Sequence, residues 1–570
     1  MQLRQRSSSS VPVFTQPLHP VLQRILAVRG VASDEQLQLP LAGLLPPATL
    51  KGLDDAVALL LMMRTKRVLI VADYDADGAT SCALAMVGLR QLGFAHADYL
   101  VPNRFEFGYG LTPPIVELAR AKNPDVLITV DNGIASHAGI ALARQYGIEV
   151  VVTDHHLPAA TLPAASAIVN PNQPGCGFAS KALAGVGVVF YLLLGLRKAL
   201  REGGEFSDTK PEPNLASLLD LVALGTVADV VPLDDNNRCL VKHGLALIRQ
   251  RRCRPGITAL LEVGGRDPAR CVASDLGFAA GPRLNAAGRL DDMSLGIECL
   301  LTDDPLQAAT MAQQLDALNR DRKLIEQEMQ DSALQQLETL TLSDEEHASL
   351  CLYDSSWHQG VIGLLASRLK DRLHCPVLVF ADAGVDADGE PLVKGSARSI
   401  AGIHMRDLLD SVATHNPGLL DKFGGHAMAA GLTLAKKHFD VFAAAIDAEV
   451  RRNVDPGVLQ RETWHDGELP GECLTLPFAE QLRLLMPWGQ QFPEPLFLGD
   501  FTIRNQRVLA ERHLKLSVTT GAAVIDAIAF QQAPLLQADA RRVRLLYKLD
   551  VNEYRGERAP QLVVEHLEYL

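Results

Sequence analysis

The chain has no run of about 18 uncharged apolar residues, no C-x-x-C pair, no tandem repeat and no excess of positive charge. Each absence narrows the reading. Without a long apolar run, no membrane span is expected. The nine cysteines are scattered; an odd, dispersed set argues against a disulfide framework or a zinc ribbon and fits a reducing cytosol. Each is expected to be a small buried apolar residue. The first ten residues carry Arg4, Arg6 and a run of serines with no apolar stretch behind them, so a frayed tail is expected rather than a secretory signal. The net charge is −13, from 54 basic and 67 acidic residues, which does not advertise a nucleic-acid binder. Net charge speaks to solubility, however, while a basic groove can be local. Aspartates that hold cations also inflate the negative count.

What is present is a chain of 570 residues, 48% apolar and 21% charged, ordinary for a soluble protein of three or four domains. Three apolar runs alternate with helix-like stretches: Arg67–Ala72, Asp125–Val130 and Ile148–Thr153. That alternation predicts a parallel sheet covered on both faces. Directly after the runs come Asp73-Tyr74-Asp75-Ala76-Asp77-Gly78, then Asp131-Asn132-Gly133, then Asp154-His155-His156. Open α/β sheets bind ligands outside the carboxyl ends of their strands, so three segments deliver carboxylates and imidazoles to one edge. Residues 180–300 read as mostly helical. A stretch from Leu306 to about Leu340, free of Gly and Pro, reads as one long connecting helix with Pro305 in its first turn. A second, smaller α/β unit begins at Ser349–Tyr353, and about five short strands in the last hundred residues suggest a barrel of the OB type. The expected division is 1–50 tail and lead-in, 51–300 catalytic, 301–345 connecting helix, 346–455 second α/β domain and 456–570 barrel.

Three neighbouring carboxylates at 73, 75 and 77 repel one another unless cations sit between them, and hard divalent ions prefer such oxygens. The bland alternative is an Asx-rich turn capping the next helix. An EF-hand loop is disfavoured, because its twelfth position is Leu84 instead of Glu. Asp131-Asn132-Gly133 alone reads as a turn, and Asp229 alone as a salt-bridged core acid. Taken together, the acids after three strands, two histidines and a fourth acid form an inventory for two metal ions and phosphoryl chemistry.

These segments, with Gly225–Asp229, resemble the ordered motifs of the DHH phosphoesterase superfamily. Ala280–Arg289, Ser356–Gly363, Gly395–Arg398 and Phe423–Gly431 further resemble its RecJ exonuclease branch, with a DHH-associated domain. The resemblance covers about residues 50–570. It implies that Asp75, Asp77, Asp131, His155 and Asp229 bind two Mg²⁺ or Mn²⁺ ions, with Asp131 bridging and Asp73 and Asp154 supporting. It implies that His156 contacts the scissile phosphate. It also implies cleavage of single-stranded DNA from the 5′ end to mononucleotides in repair and recombination. The implied setting is a cytoplasmic monomer working with a helicase and a single-strand-binding protein.

Further contacts to DNA are expected from Arg283, Asn285 and Arg289, in a Gly/Ala-rich segment that lets backbone approach phosphate. In the second domain Ser396, Arg398 and the Gly424-Gly425-His426 loop suit an anionic 5′ end. Arg104 with Phe105, Phe107 and Tyr109 suits stacking on unpaired bases or simple packing. The basic run Arg249–Arg254 and the barrel residues Arg504, Arg507, Lys515, Arg541, Arg542, Arg544 and Lys548 are candidate DNA tracks. Two other readings remain open. One keeps the metals but takes pyrophosphate, a cyclic dinucleotide or very short RNA. The other is a non-enzymatic single-strand binder, which predicts eroded ligands.

Overall fold

The computed structural model describes residues 2–8, 12–15, 17–340, 348–386, 388–420, 422–521, 523–554 and 556–570. Two compact units emerge. One gathers residues 3–288, 292–315 and 464–570; the other gathers 289–291 and 316–463 with the extreme N-terminus. No helix among the described residues is long and apolar enough to cross a membrane.

The first unit is built on five parallel strands: β1 (Val68–Ala72), β2 (Ala97–Leu100), β3 (Val126–Val130), β4 (Glu149–Thr153) and β5 (Ala167–Val169), in spatial order β2-β1-β3-β4-β5. Strands β1 and β3 are buried at every position, which is why they read as unbroken β-branched runs instead of alternating ones. The chain leaves β1 toward β2 and returns beside β1 as β3, so the strand order reverses between β1 and β3. Ligands of open α/β sheets bind at such a reversal. Register then matters: Ala72 pairs with Val130, and Val130 with Thr153. Residues 73, 131 and 154 therefore leave the sheet at one level.

Four helices bear on that edge: α1 (Ala76–Gln91), α2 (His137–Gln145), α3 (Gly185–Glu202) and α4 (Leu219–Ala228). Asp75 caps α1, its side chain accepting the Gly78 amide at 2.9 Å. Helices α1 and α4 are buried along nearly their whole lengths, so their faces carry Ala, Gly and Leu with little amphipathic contrast. Helix α5 (Gly281–Leu290) follows a π-helical stretch at Leu276–Ala280.

Helix α6 (Pro305–Leu340) has 36 residues, as its unbroken sequence predicts. In the second unit its Ile325, Met329, Ala333 and Leu337 pack with Trp357, Val361 and Leu365. That unit's sheet holds β6 (Leu350–Tyr353), β7 (Val377–Val385), β8 (Pro391–Arg398), β9 (Lys422–Gly425) and β10 (Ala429–Ala435), in order β9-β10-β8-β7-β6. Only the β6–β7 pair is parallel; the other ladders are antiparallel. Helix α7 (Ile362–Leu373) connects β6 to β7, the crossover that a parallel pair requires.

The C-terminal strands β11 (Phe497–Leu509), β12 (His513–Thr519), β13 (Val524–Ala529), β14 (Arg542–Tyr554) and β15 (Glu557–Tyr569) close into a barrel. Three of them run to 13 residues, longer than their apolar centres suggest, because hydrogen-bonded ladders continue through exposed polar ends. The lead-in is tied to this region by a buried ion pair. Arg29 grips Asp466 through two guanidinium nitrogens, Nη1 at 2.7 Å and Nη2 at 3.0 Å, and the Leu496 amide donates to Asp466 at 3.0 Å. Arg6 adds a longer contact at 3.3 Å.

Removing one partner of a buried pair leaves an uncompensated charge, which costs about 3–5 kcal/mol. Asp466→Ala is therefore expected to lower the unfolding free energy, read from denaturant titration, by an amount in that range. Arg6→Ala, at the more exposed edge, should cost under about 1 kcal/mol. Equal losses for the two variants would remove the Arg29–Asp466 pair from this role.

Candidate metal centre

At the reversal between β1 and β3, six carboxylates and two imidazoles converge. Asp77, on the first turn of α1, accepts the amides of Gly185 (2.6 Å) and Val186 (2.9 Å) at the N-terminus of α3, where the helix dipole favours negative charge. A Cβ on Gly185 would lie 2.7 Å from the Asp131 Cβ, and one on Gly225 would collide with Thr80 and Asp77. These two glycines let α3 and α4 approach the acids directly. The Gly-rich segment 184–187 thus forms the N-terminus of α3.

Asp131 adopts a left-handed backbone with φ of 62°, a strained conformation that Asp tolerates better than most residues. Its amide donates to the Thr153 carbonyl at 3.1 Å. Asp229 caps the end of α4, and the next residue, Val230, is also left-handed at φ 59°. For a β-branched side chain that is a true outlier. It ends α4 abruptly and leaves Asp229 at the site. Asp229 thus stands at a helix terminus facing His155, beside the other members of the set in which it was expected.

Three sets of side chains each bring ligand atoms within 4.8 Å of one another: Asp77–His155–Asp229, Asp73–Asp75–Asp131 and Asp131–His155–His156. Asp131 belongs to two sets. His155 Nε2 lies 3.2 Å from Asp131 Oδ1 and 3.4 Å from Asp229 Oδ2. Both Asp131 Oδ1 and His155 Nε2 are buried without a hydrogen-bond partner. Two buried electron-pair donors facing each other are costly unless a cation satisfies both. Five carboxylates and one imidazole suit Mg²⁺ or Mn²⁺, so the residues fit that group.

Electrostatics separates the roles. Burial, then the neighbouring Asp229, pushes Asp77 up to about 7. Burial, then Asp75, pushes Asp229 up to about 8. Burial and Asp77 hold Asp131 well above the usual carboxylate range. Asp154 behaves oppositely: burial opposes its charge, but His156, with its Nδ1 at 2.7 Å, and His155 bring it down to about 2. Burial likewise opposes the charge on His156, yet Asp154 raises it to about 9. Burial and the adjacent His156 lower His155. The centre therefore contains one imidazole suited to coordinate and one suited to stay protonated.

Residues that sequence reasoning passed over hold the ligands in place. Asn170 Nδ2 donates to the His156 carbonyl at 2.9 Å, and Asn172 Nδ2 to the His155 carbonyl at 2.6 Å. Their spacing, Asn170-Pro171-Asn172 after β5, was a readable turn signal but carried no sign of its target. Asn285, expected at phosphate, accepts the Ala76 amide through Oδ1 at 2.8 Å, so it also braces the acidic turn. Arg283, also expected at phosphate, is buried, with Nη1 donating to the Ala279 carbonyl at 2.7 Å and Nη2 toward that of Val263 at 3.4 Å. Arg289 donates to the Gly360 carbonyl at 3.0 Å within the second unit. The side chains of Arg104 and Phe105 lie outside the described residues.

In the second unit, Arg398 donates to Ser396 Oγ (3.0 Å) and to the Ala397 carbonyl (2.8 Å), and has no carboxylate partner among the described residues. A Cβ on Gly363, in the first turn of α7, would lie 2.8 Å from its guanidinium and 2.9 Å from Ser396 Oγ. Gly424 and Gly425 end β9 rather than forming a loop, with His426 next; the Gly425 φ of 149° and the close Ala430 backbone require glycine there. The run Arg249–Arg254 is largely structural: Arg249 Nε donates to Cys271 and Arg254 Nε to Leu300 carbonyls, and Arg251 pairs with Glu262. On the barrel, Lys515, Arg544 and Lys548 pair with Asp526, Asp500 and Glu494. Arg504, Arg507, Arg541 and Arg542 have no ion pair among the described residues.

A doubly covered parallel sheet with this carboxylate–imidazole edge defines the DHH class, and comparison with known proteins agrees. The DHH family N-terminal domain matches residues 67–226, the DHHA1 domain 347–452 and the RecJ OB domain 465–566. The chain is 54% identical to the single-stranded-DNA-specific exonuclease RecJ of Dickeya dadantii, covering 99% of both chains. It matches the crystal structure of RecJ in complex with Mn²⁺ from Thermus thermophilus with a TM-score of 0.78 and 32% identity, over 100% of this chain and 80% of that one. The corresponding Mg²⁺ complex gives 0.73 and 30%, over 100% and 79%. The chain belongs to the RecJ family.

The raised carboxyls set a pH dependence. In the metal-free fold Asp77 and Asp229 keep protons to about 7 and about 8, whereas the unfolded chain releases them near 4. Between roughly pH 4 and 8 the folded state binds more protons, so this contribution to stability falls as pH rises. Metal binding must displace those protons. Calorimetric Mn²⁺ titration is expected to show proton release near pH 6.5 that shrinks toward about pH 8.5, with affinity rising over the same interval. Binding that is independent of pH would contradict the assignment.

Proposed function

We propose that the protein is a Mg²⁺- or Mn²⁺-dependent exonuclease specific for single-stranded DNA, degrading it from the 5′ end to 5′-mononucleotides. The observation that carries this reading is the facing, unpartnered pair Asp131 Oδ1 and His155 Nε2 inside an intact acidic set, in a chain matched along its length by single-strand-specific exonucleases. Intact ligands disfavour a purely non-enzymatic binder. The closed C-terminal barrel disfavours compact enzymes of pyrophosphate, cyclic dinucleotides or very short RNA.

Asp75, Asp77, Asp131, His155 and Asp229 would hold the two ions. Asp131, a member of two of the ligand sets, would serve both, and Asp73 stands close enough to Asp75 and Asp131 to serve as a further ligand. The ions would activate water and neutralise charge on the phosphate oxygens. His156, held protonated by Asp154, donates to a non-bridging oxygen of the scissile phosphate. Arg289 supplies a further donor to DNA phosphate. Ser396 and Arg398, beside the first turn of α7 and near Gly424, Gly425 and His426, bind the anionic 5′ end. The barrel's Arg504, Arg507, Arg541 and Arg542 track the backbone. The working division of the chain stays at residues 50, 300, 345 and 455. The family resemblance further supports a cytoplasmic monomer acting in repair and recombination with a helicase and a single-strand-binding protein.

The test is digestion of 5′-labelled single-stranded and duplex DNA with Mn²⁺, with Mg²⁺ and with chelator. Labelled mononucleotide should appear from single strands only, and Asp131→Ala should abolish it. Activity that persists in chelator, or equal digestion of blunt duplex, sinks the reading. Arg398→Ala should reduce the preference for a 5′-phosphorylated over a 5′-hydroxyl strand by about 10-fold, as expected for losing a charge-assisted hydrogen bond. An unchanged preference removes Arg398 from the end-binding role.

A further inference from the structure

Tyr109 lies against the centre but belongs to none of the ligand sets. It sits between Gly108 and Gly110, both with positive φ, in the segment that also carries Phe107. Its hydroxyl donates to the Asp131 backbone carbonyl at 3.2 Å. The same oxygen is 3.2 Å from His156 Nδ1 and 3.3 Å from Nε2. A donor in line with one ring nitrogen would be distinctly farther from the other, so this contact is against the ring. Nδ1 is already engaged by Asp154 at 2.7 Å. The Tyr109 and His156 rings meet edge-on at 5.7 Å, and Tyr74 meets Tyr109 in the same manner at 6.3 Å. Yet Tyr109 remains 47% exposed, unlike Asp131 and Asp154 beneath it.

We propose that Tyr109 is a positioning residue that holds the left-handed backbone of Asp131 and the ring of His156 in register. The physical case rests on two features. A left-handed non-glycine residue persists only where its surroundings over-determine it, and the Asp131 peptide is pinned on its amide side by Thr153 and on its carbonyl side by Tyr109. His156 has Asp154 along one edge and His155 beside it, with ring centroids 4.5 Å apart; Tyr109 closes a further side. The hydroxyl thus couples the carboxylate shared between two ligand sets to the imidazole proposed to face the phosphate. Because Tyr109 is the exposed member, a nucleotide that packs on its outer face bears on both groups at once. This inference rests on the roles proposed above for Asp131 and His156.

Tyr109→Phe removes the hydroxyl and keeps the ring. One neutral hydrogen bond is worth about a 5-fold change in an equilibrium. The variant is expected to weaken Mn²⁺ binding, read by calorimetry without DNA, by about 5-fold, with an unchanged melting temperature for the metal-free protein. In turnover, kcat should fall while KM for the single strand holds. In a cycle with His156→Ala, the two kcat losses should be less than additive, because both act on the same imidazole. Tyr109→Trp, which keeps an aromatic ring but moves the polar atom, should not restore binding. Wild-type Mn²⁺ affinity in Tyr109→Phe, or fully additive losses in the cycle, overturns the proposal. The calorimetric arm needs no nuclease activity. A protein that binds Mn²⁺ more weakly as Tyr109→Phe but digests no DNA would leave the positioning role standing and reject the function.

Discussion

Like charges forced together govern this structure. Asp73, Asp75, Asp77, Asp131, Asp154 and Asp229 meet where β1, β3 and β4 end, and most are buried. Carboxylates in a low-dielectric pocket repel strongly. Local partners offset part of that repulsion, and Asp75 accepts the Gly78 amide. Asp154 has the imidazole of His156, and Asp77 has the two amides at the start of α3. Asp131 Oδ1 stays buried without a hydrogen-bond partner, and the metal-free centre responds by holding protons on Asp131 and Asp229. A fold with that much uncompensated charge at one point is arranged around ions from elsewhere.

A second layer keeps the ligands from relaxing apart. Asn170 and Asn172 seize the carbonyls of the two histidines, Asn285 braces the turn that carries Asp75 and Asp77, and Thr153 receives the Asp131 amide. These contacts act on main-chain atoms, so the carboxylate and imidazole atoms remain available. Small residues at 185 and 225 serve the same end by exclusion, since any larger side chain would occupy the space of Asp131 or Asp77. Outer contacts that fix ligands commonly matter as much to a metal site as one of the ligands themselves.

The pattern along the chain made the sheet and its acidic edge legible, because buried parallel strands are nearly pure β-branched runs and the polar residues that follow them are conspicuous. The long helix was legible from the absence of Gly and Pro. Reading became unreliable wherever a residue's partner is distant in sequence. Arg283 and Arg289 look alike on paper, but Arg283 is committed to helix carbonyls in the first unit and Arg289 donates to Gly360 in the second. Basic residues on the barrel divide into paired and unpaired sets only once Asp500, Asp526 and Glu494 are seen beside them. Asn170 and Asn172 advertise a turn, and nothing local says that the turn clasps two histidines.

Position 131 carries two demands that almost no amino acid meets together. Its backbone lies in the left-handed region, which admits Gly, Asn and Asp far more readily than other residues. For the metal-holding role proposed for it, its side chain must also be a carboxylate of short reach, since the Asp131 oxygen stands 3.2 Å from His155 Nε2. Glycine and asparagine satisfy the first demand and glutamate the charge, while aspartate satisfies both. The position therefore has no conservative neighbour in sequence space: drift there passes directly from a working centre to a silent one, with the fold left intact to conceal it.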